Sequence, residues 1–160
     1  MSFVHLHLLL NHVPVIGIVF VVCVLLAALR LRNDGMAKLA LIMFAGIAAV
    51  TALVYFTGEP AEDAVEKLAG VSKAIIHDHE EAAELSFIAM SIGGVLALAA
   101  LWFNRRRELA RWTIATGLGV ALVITGMMTW TANLGGAIRH TEIGASAGGE
   151  VGRADDFDDK

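Results

Sequence analysis

Two histidines and four acidic residues fall within eight positions, directly before a long apolar stretch: His77, Asp78, His79, Glu80, Glu81 and Glu84. Imidazole is the commonest metal ligand and the usual axial ligand of haem iron, and carboxylates join it around metals such as zinc and iron. On a helix, His77 and His79 point about 200° apart, so only one of them can face neighbouring helices. Small residues follow His79 at seven-residue intervals, namely Ser86, Gly93 and Ala100. We therefore expect His79 to face inward and His77 to face solvent.

The remaining histidines lie near the two ends of the chain. His5, His7 and His12 precede the first apolar stretch, and His140 follows the last one. If the apolar stretches form antiparallel helices, all six histidines gather at one end of a bundle, where facing helices can build a site. We expect His12, His79 and His140 to form this site, with His7 as the alternative ligand from the first helix.

Neighbouring polar residues suggest supporting roles. Asn11 and Asn133 are candidates to hydrogen-bond the second nitrogen of a ligating imidazole. Arg139 could balance Glu80 or Glu84, or bind a haem propionate.

The composition is that of a membrane protein. Of the 160 residues, 57% are apolar and only 18% are charged, which excludes an ordinary soluble domain. No basic surface with interleaved aromatic residues is evident, so nucleic acid is not expected as a partner. A membrane-spanning helix needs about 20 apolar residues, and four stretches qualify: Val13–Leu31, Ala37–Phe56, Leu85–Phe103 and Trp112–Leu134. We expect an all-α, integral membrane four-helix up-down bundle over residues 1–143 and a disordered acidic tail over 144–160.

The basic residues predict the orientation in the bilayer. The connections between the first and second and between the third and fourth stretches hold seven of the twelve Lys and Arg residues, but only two acids, Asp34 and Glu108. By the positive-inside rule both connections are cytoplasmic, and both termini lie outside.

The connection between the second and third stretches, Thr57 to Glu84, is predicted to be the largest outer segment. Pro60 is typical of a helix start, and Ala61, Val65 and Leu68 form an apolar stripe, so a short amphipathic helix on the membrane surface is expected. Ser72 can cap the third long helix. At the amino terminus, Pro14 permits either a helix start near Pro14 or a kinked helix from near Ser2.

The fourth stretch carries a second seven-residue pattern: Gly119, Gly126, Asn133 and His140. We expect this stripe to face the third helix. It reaches His140 only if the helix continues through Gly135 and Gly136.

Four short motifs resemble a known family. The chain contains Leu6-His7-Leu8-Leu9-Leu10-Asn11-His12-Val13-Pro14, Thr57-Gly58-Glu59-Pro60-Ala61-Glu62, His79-Glu80-Glu81-Ala82-Ala83 and Leu134-Gly135-Gly136-Ala137-Ile138-Arg139-His140. These are similar to a family of four-helix bacterial inner-membrane proteins of unknown function that begin His-Pro-x-x-Val-His-Phe-Pro and end Gly-Gly-x-Leu-Val-Tyr-x-His-Gly. The chain departs from that pattern at Leu8 and Thr141, where the family has proline and glycine. The resemblance implies a bacterial inner-membrane location and one outer site containing His7, His12, His79 and His140.

Three functions remain open at this point. The first is a b-type cytochrome, with haem b between paired histidines, passing electrons to a redox partner or quinone. The second is a non-haem site for Zn, Cu or Fe, in which Glu80 and Glu84 join the imidazoles. The third is a structural subunit of a homo-oligomer or a larger membrane complex.

Overall fold

The computed structural model describes residues 3–65 and 71–139, and this part of the chain is helical without strands. Its helices are α1 (Phe3–Leu10), α2 (His12–Leu31), α3 (Asp34–Val65), α4 (Lys73–Phe103) and α5 (Arg111–Arg139). The combined α1–α2 unit and each of α3, α4 and α5 are long and apolar enough to cross a membrane. The prediction of an all-α protein with four such helices is confirmed.

The long helices form a closed ring in which α2 packs on α3, α3 on α4, α4 on α5 and α5 on α2, while α1 lies against α3. The largest fully buried side chains include Phe44, Ile18, Leu25, Met90 and Ile124. Large apolar side chains also cover the outside, such as Ile92 and Val123. Helices that are apolar on all sides are typical of membrane spans.

The break between α1 and α2 follows from Pro14. In an unbroken helix the residue at position 14 would donate its N–H to the carbonyl of Leu10, and proline has no N–H. The first helix accordingly ends at Leu10, although Asn11 N still donates to His7 O at 2.9 Å. Of the two predicted arrangements, the kinked helix is therefore the one found, and it places α1 beside α3.

The predicted surface helix starting at Pro60 is not found among the described residues. Instead α3 continues from Asp34 through Pro60 to Val65. One proline removes a single backbone hydrogen bond, which a helix tolerates when its neighbours support it. Here Ala61, one residue later, is buried. Leu68, the last member of the predicted stripe, lies outside the described residues.

The predictions for α4 largely hold. Ser72 occupies the predicted N-cap position of α4 in an extended conformation, but its side chain forms no capping hydrogen bond; α4 runs unbroken through His79 as expected. The inward stripe on α4 is confirmed, because Ser86 and Gly93 are buried.

The prediction that the small-residue stripe of α5 faces inward is wrong. Gly119, Gly126 and Asn133 lie on the exposed face. The buried face of α5 instead contains Ala121, Ile124 and Met128. On the other hand, α5 does continue through Gly135 and Gly136 to Arg139.

Alanine substitutions at Gly93 and Gly126 are expected to change the stability of the protein by different amounts. A Cβ at Gly93 would lie 2.6 Å from Phe44 Cζ and 3.0 Å from Ile124 Cδ1, whereas one at Gly126 would meet no atom of the described residues within 4 Å. We expect Gly93→Ala to destabilise the protein by about 1–3 kcal/mol through overpacking, and Gly126→Ala to be neutral or stabilising. Thermal unfolding in mild detergent, followed by circular dichroism, measures both. Equal effects would contradict the packing described here.

The α2–α3 and α4–α5 connections lie together at one end of the bundle, which we call the arginine end. There Asp34 Oδ1 accepts a hydrogen bond from Leu109 N at 2.7 Å, and Lys38 Nζ donates to Arg107 O at 2.9 Å. The opposite end, which carries His7 and His79, is called the histidine end.

Candidate functional site

His79 is held by a backbone carbonyl of the neighbouring helix. Its Nδ1 lies 3.0 Å from the carbonyl oxygen of Thr131 on α5. A carbonyl oxygen can only accept a hydrogen bond, so Nδ1 carries the proton and donates. In the neutral imidazole Nε2 then keeps its lone pair, and among the described residues it has no hydrogen-bond partner. This is the arrangement in which a histidine can bind a metal through Nε2.

Gly135 makes room for this imidazole. A Cβ at Gly135 would lie 3.0 Å from His79 Cε1 and 3.4 Å from Nδ1. Helical side chains lean toward the amino terminus, so a side chain at position 135 would overhang the carbonyl of residue 131, four positions earlier. The glycine therefore leaves that carbonyl accessible to His79.

A buried polar contact fixes α4 against α5 near this carbonyl. Ser86 is only 2% exposed, and its Oγ lies 2.9 Å from Thr131 Oγ1. The Thr131 hydroxyl also lies 3.1 Å from the carbonyl oxygen of Ala82. Thr131 thus sets the register of the two helices and supplies the acceptor for His79.

His7 on α1 is held in a similar way by α3. Its Nδ1 lies 3.1 Å from the carbonyl oxygen of Val54 and 3.4 Å from Thr57 Oγ1. The Thr57 hydroxyl donates to backbone carbonyls of its own helix, including that of Val54 at 2.9 Å. Again Nδ1 is the donor, and Nε2 keeps its lone pair.

The two imidazoles repeat one local pattern. Each donates Nδ1–H to a carbonyl on a neighbouring helix, and each accepting residue is followed four positions later by glycine: Val54 with Gly58, and Thr131 with Gly135. Gly58 is the looser of the two, because a Cβ there would lie 3.6 Å from His7 Cε1. His7 and His79 lie near enough to each other that a positive charge on His7 would disfavour protonation of His79. We call these two residues the histidine pair.

The structure does not bring His12 into this pair, because its side chain is exposed on the first turn of α2. The break before Pro14 is the reason, since it turns α1 toward α3 and selects His7. His77 is also exposed, as expected, and lies 3.4 Å from Glu81 and 3.9 Å from Glu80.

The carboxylates predicted as ligands do not surround the histidine pair. Glu80 and Glu84 are both exposed, and Glu80 lies beside His77. Within residues 3–65 and 71–139, no group of three or more His, Cys, Asp or Glu side chains is arranged to hold a metal ion.

The predicted supporting residues have different positions. Asn133 is exposed, so it does not support the histidine pair. Asn11 Oδ1, in contrast, is buried and has no hydrogen-bond partner in the described part of the protein. His140, the Arg139 side chain and the acidic tail at 144–160 lie outside the described residues.

Sequence reasoning missed Val54, Thr131 and the two glycines that follow them. A backbone carbonyl is present at every residue, so an acceptor leaves no mark in the sequence. The available signal was glycine inside a helix, where it is less stable than alanine by about 1 kcal/mol and so indicates a close approach.

Compared with protein-family models, curated proteins and solved structures, the chain matches none. The arrangement of the histidine pair therefore provides the functional argument.

Proposed function

We infer that this protein is a membrane-embedded b-type cytochrome that binds haem b through the Nε2 atoms of His7 and His79. The observation that supports this most strongly is the matched arrangement of the two imidazoles. They come from different helices, each Nδ1–H is anchored to a backbone carbonyl, and each Nε2 keeps the lone pair that a metal would bind.

The number of ligands favours haem over a bare metal ion. A porphyrin supplies four nitrogens to its iron, so a protein needs to add at most two side chains to hold it. A protein site for zinc normally uses three or four side chains. The described residues offer the histidine pair but no group of three potential ligands.

His7 and His79 would hold the haem, and two backbone carbonyls would hold His7 and His79 in place. The bonds to Val54 O and Thr131 O fix the orientation of both rings and make each Nε2 more basic. Bound haem would supply one-electron redox chemistry. The partners that fit this chemistry are a quinone in the bilayer or a protein electron carrier.

The proposed orientation places the histidine end outside the cell membrane. The concentration of arginines at the other end supports this through the positive-inside rule. In a bacterium the protein would be a multi-pass inner-membrane protein with both termini in the periplasm.

A second candidate is a single Zn, Cu or Fe ion bound by the same histidine pair. The close packing of α4 on α5 favours it, because Ser86 bonds Thr131 directly and even a Cβ at Gly135 would lie 3.0 Å from His79 Cε1. A macrocycle inserted between these two helices would have to separate them. Further ligands for an ion would then be water or residues beyond the described part.

Titration of the purified full chain with haemin tests the proposal. We expect a Soret band that saturates at one haem per chain. Elemental analysis of the protein as purified separates the candidates, because a non-haem site gives stoichiometric Zn, Cu or Fe without a Soret band. If both signals are absent, both candidates are overturned and the role of a structural subunit is left.

A further inference from the structure

The α4–α5 connection at the arginine end carries a dense positive charge. Arg105, Arg106 and Arg107 are consecutive, Arg111 begins α5, and all four side chains are exposed. In the described part of the chain, no carboxylate forms an ion pair with any of them. We call these four residues the arginine cluster.

Asp34, the acid that is hydrogen-bonded to this connection, does not neutralise the charge of the arginine cluster. Asp34 forms an ion pair with Lys38 at 2.7 Å and accepts a hydrogen bond from Leu109 N. Lys38 in turn donates to Arg107 O. These bonds tie the connection to the start of α3, so the arginine cluster is presented on a fixed backbone while its charges remain available.

Exposed aromatic rings flank the arginine cluster on both sides. Trp102 is 66% exposed at the end of α4 and Trp112 is 73% exposed at the start of α5. The Arg105 guanidinium lies 4.6 Å from the centre of the Trp102 ring. Tryptophan is typical of the depth at which lipid headgroups meet acyl chains.

We propose that the arginine cluster binds the phosphate of an anionic phospholipid, with the acyl chains of that lipid beside Trp102 and Trp112. Guanidinium groups bind phosphate oxygens through paired hydrogen bonds. The flanking rings favour a lipid over free phosphate, because only a lipid brings apolar chains to them. The proposal rests on the membrane insertion proposed above, but it does not depend on haem.

Tryptophan fluorescence can report this contact selectively. The chain has three tryptophans, and the Trp130→Phe variant keeps only the two beside the arginine cluster. The full-length variant is placed in phosphatidylcholine bilayers containing either brominated phosphatidylglycerol or brominated phosphatidylcholine, whose bromines quench nearby tryptophans. We expect phosphatidylglycerol to quench at a lower fraction of total lipid, by about fivefold or more, since one basic side chain near an anionic headgroup contributes about that factor.

Charge-matched variants locate the effect. In the same background, R105Q/R106Q is expected to remove most of the preference, whereas R105K/R106K, which keeps the charge but loses the paired hydrogen bonds, is expected to keep only part of it. R30Q/R32Q removes the same amount of charge from the exposed end of α2. This variant is expected to keep most of the preference for phosphatidylglycerol. Helicity and elution volume in detergent show whether each variant is folded.

Three results would overturn the proposal: equal quenching by both lipids, a preference unchanged in a folded R105Q/R106Q variant, or a preference abolished by millimolar inorganic phosphate. The last would indicate a free-anion site. None of these results affects the haemin titration, so failure here is distinguishable from failure of the proposed function.

Discussion

Replacing His79 with alanine is expected to abolish the spectrum of six-coordinate haem in the purified protein. The substitution removes one of the two Nε2 atoms proposed to bind iron. We expect haem affinity to fall by about 100-fold or more, since loss of even a supporting hydrogen bond costs about 10- to 100-fold. The measurement is haemin titration followed by the Soret band. His7→Ala is expected to behave in the same way.

Two neighbouring histidines supply the controls for this experiment. His77 lies two residues from His79 but is exposed and faces Glu80 and Glu81. His12 is exposed on the first turn of α2. Alanine at either position is expected to leave the spectrum unchanged. If His12→Ala removed the Soret band and His7→Ala did not, the proposed ligand from the first helical segment would be wrong.

The second large effect is expected at Gly135. Leucine there would place a Cβ 3.0 Å from His79 Cε1 and further atoms over the Thr131 carbonyl. His79 would then have to leave its hydrogen bond to that carbonyl. We expect haem affinity to fall by about 10- to 100-fold, the usual effect of losing the bond that orients a ligating histidine. The measurement is the same titration on protein whose helicity matches the wild type.

The adjacent glycine provides a matched control. Among the described residues a Cβ at Gly136 has no neighbour within 4 Å, so Gly136→Leu makes the same chemical change without pressing on the His79 ring. We expect it to bind haem as the wild type does. Gly58→Ala should also be mild, because its Cβ would be in ordinary contact with His7 at 3.6 Å. Equal losses in the two leucine variants would show that the effect is not steric pressure on His79.

The four long helices and the inward position of His79 could be predicted from sequence, because polarity changes sharply at the ends of the apolar stretches and small residues recur regularly after His79. The apolar stretches give the four long helices, and the spacing of Ser86 and Gly93 places His79 on the inward face. Both predictions depend on patterns along one helix, which sequence shows directly.

The facing side of α5 could not be predicted in the same way. In a membrane both the lipid face and the packed face of a helix are apolar, so small residues on either face look alike. Gly119 and Gly126 form the regular stripe, yet the packed face contains Gly117, Ala121 and Ile124. Packing against the neighbouring helices decides between them, and that information is not local.

The choice between His7 and His12 depended on the chain direction at Pro14. The missing N–H of proline explains why α1 ends at Leu10, but sequence does not say where α1 then lies. Contacts with Val54 and Thr57 on α3, about 50 residues away in sequence, settle the position of His7.

The most direct test of the central proposal is a visible absorption spectrum of the full chain, purified in mild detergent from cells supplied with a haem precursor. We expect a Soret band and, after reduction with dithionite, sharp α and β bands of haem with two imidazole ligands. A spectrum without these bands from folded, haem-supplied protein would contradict it.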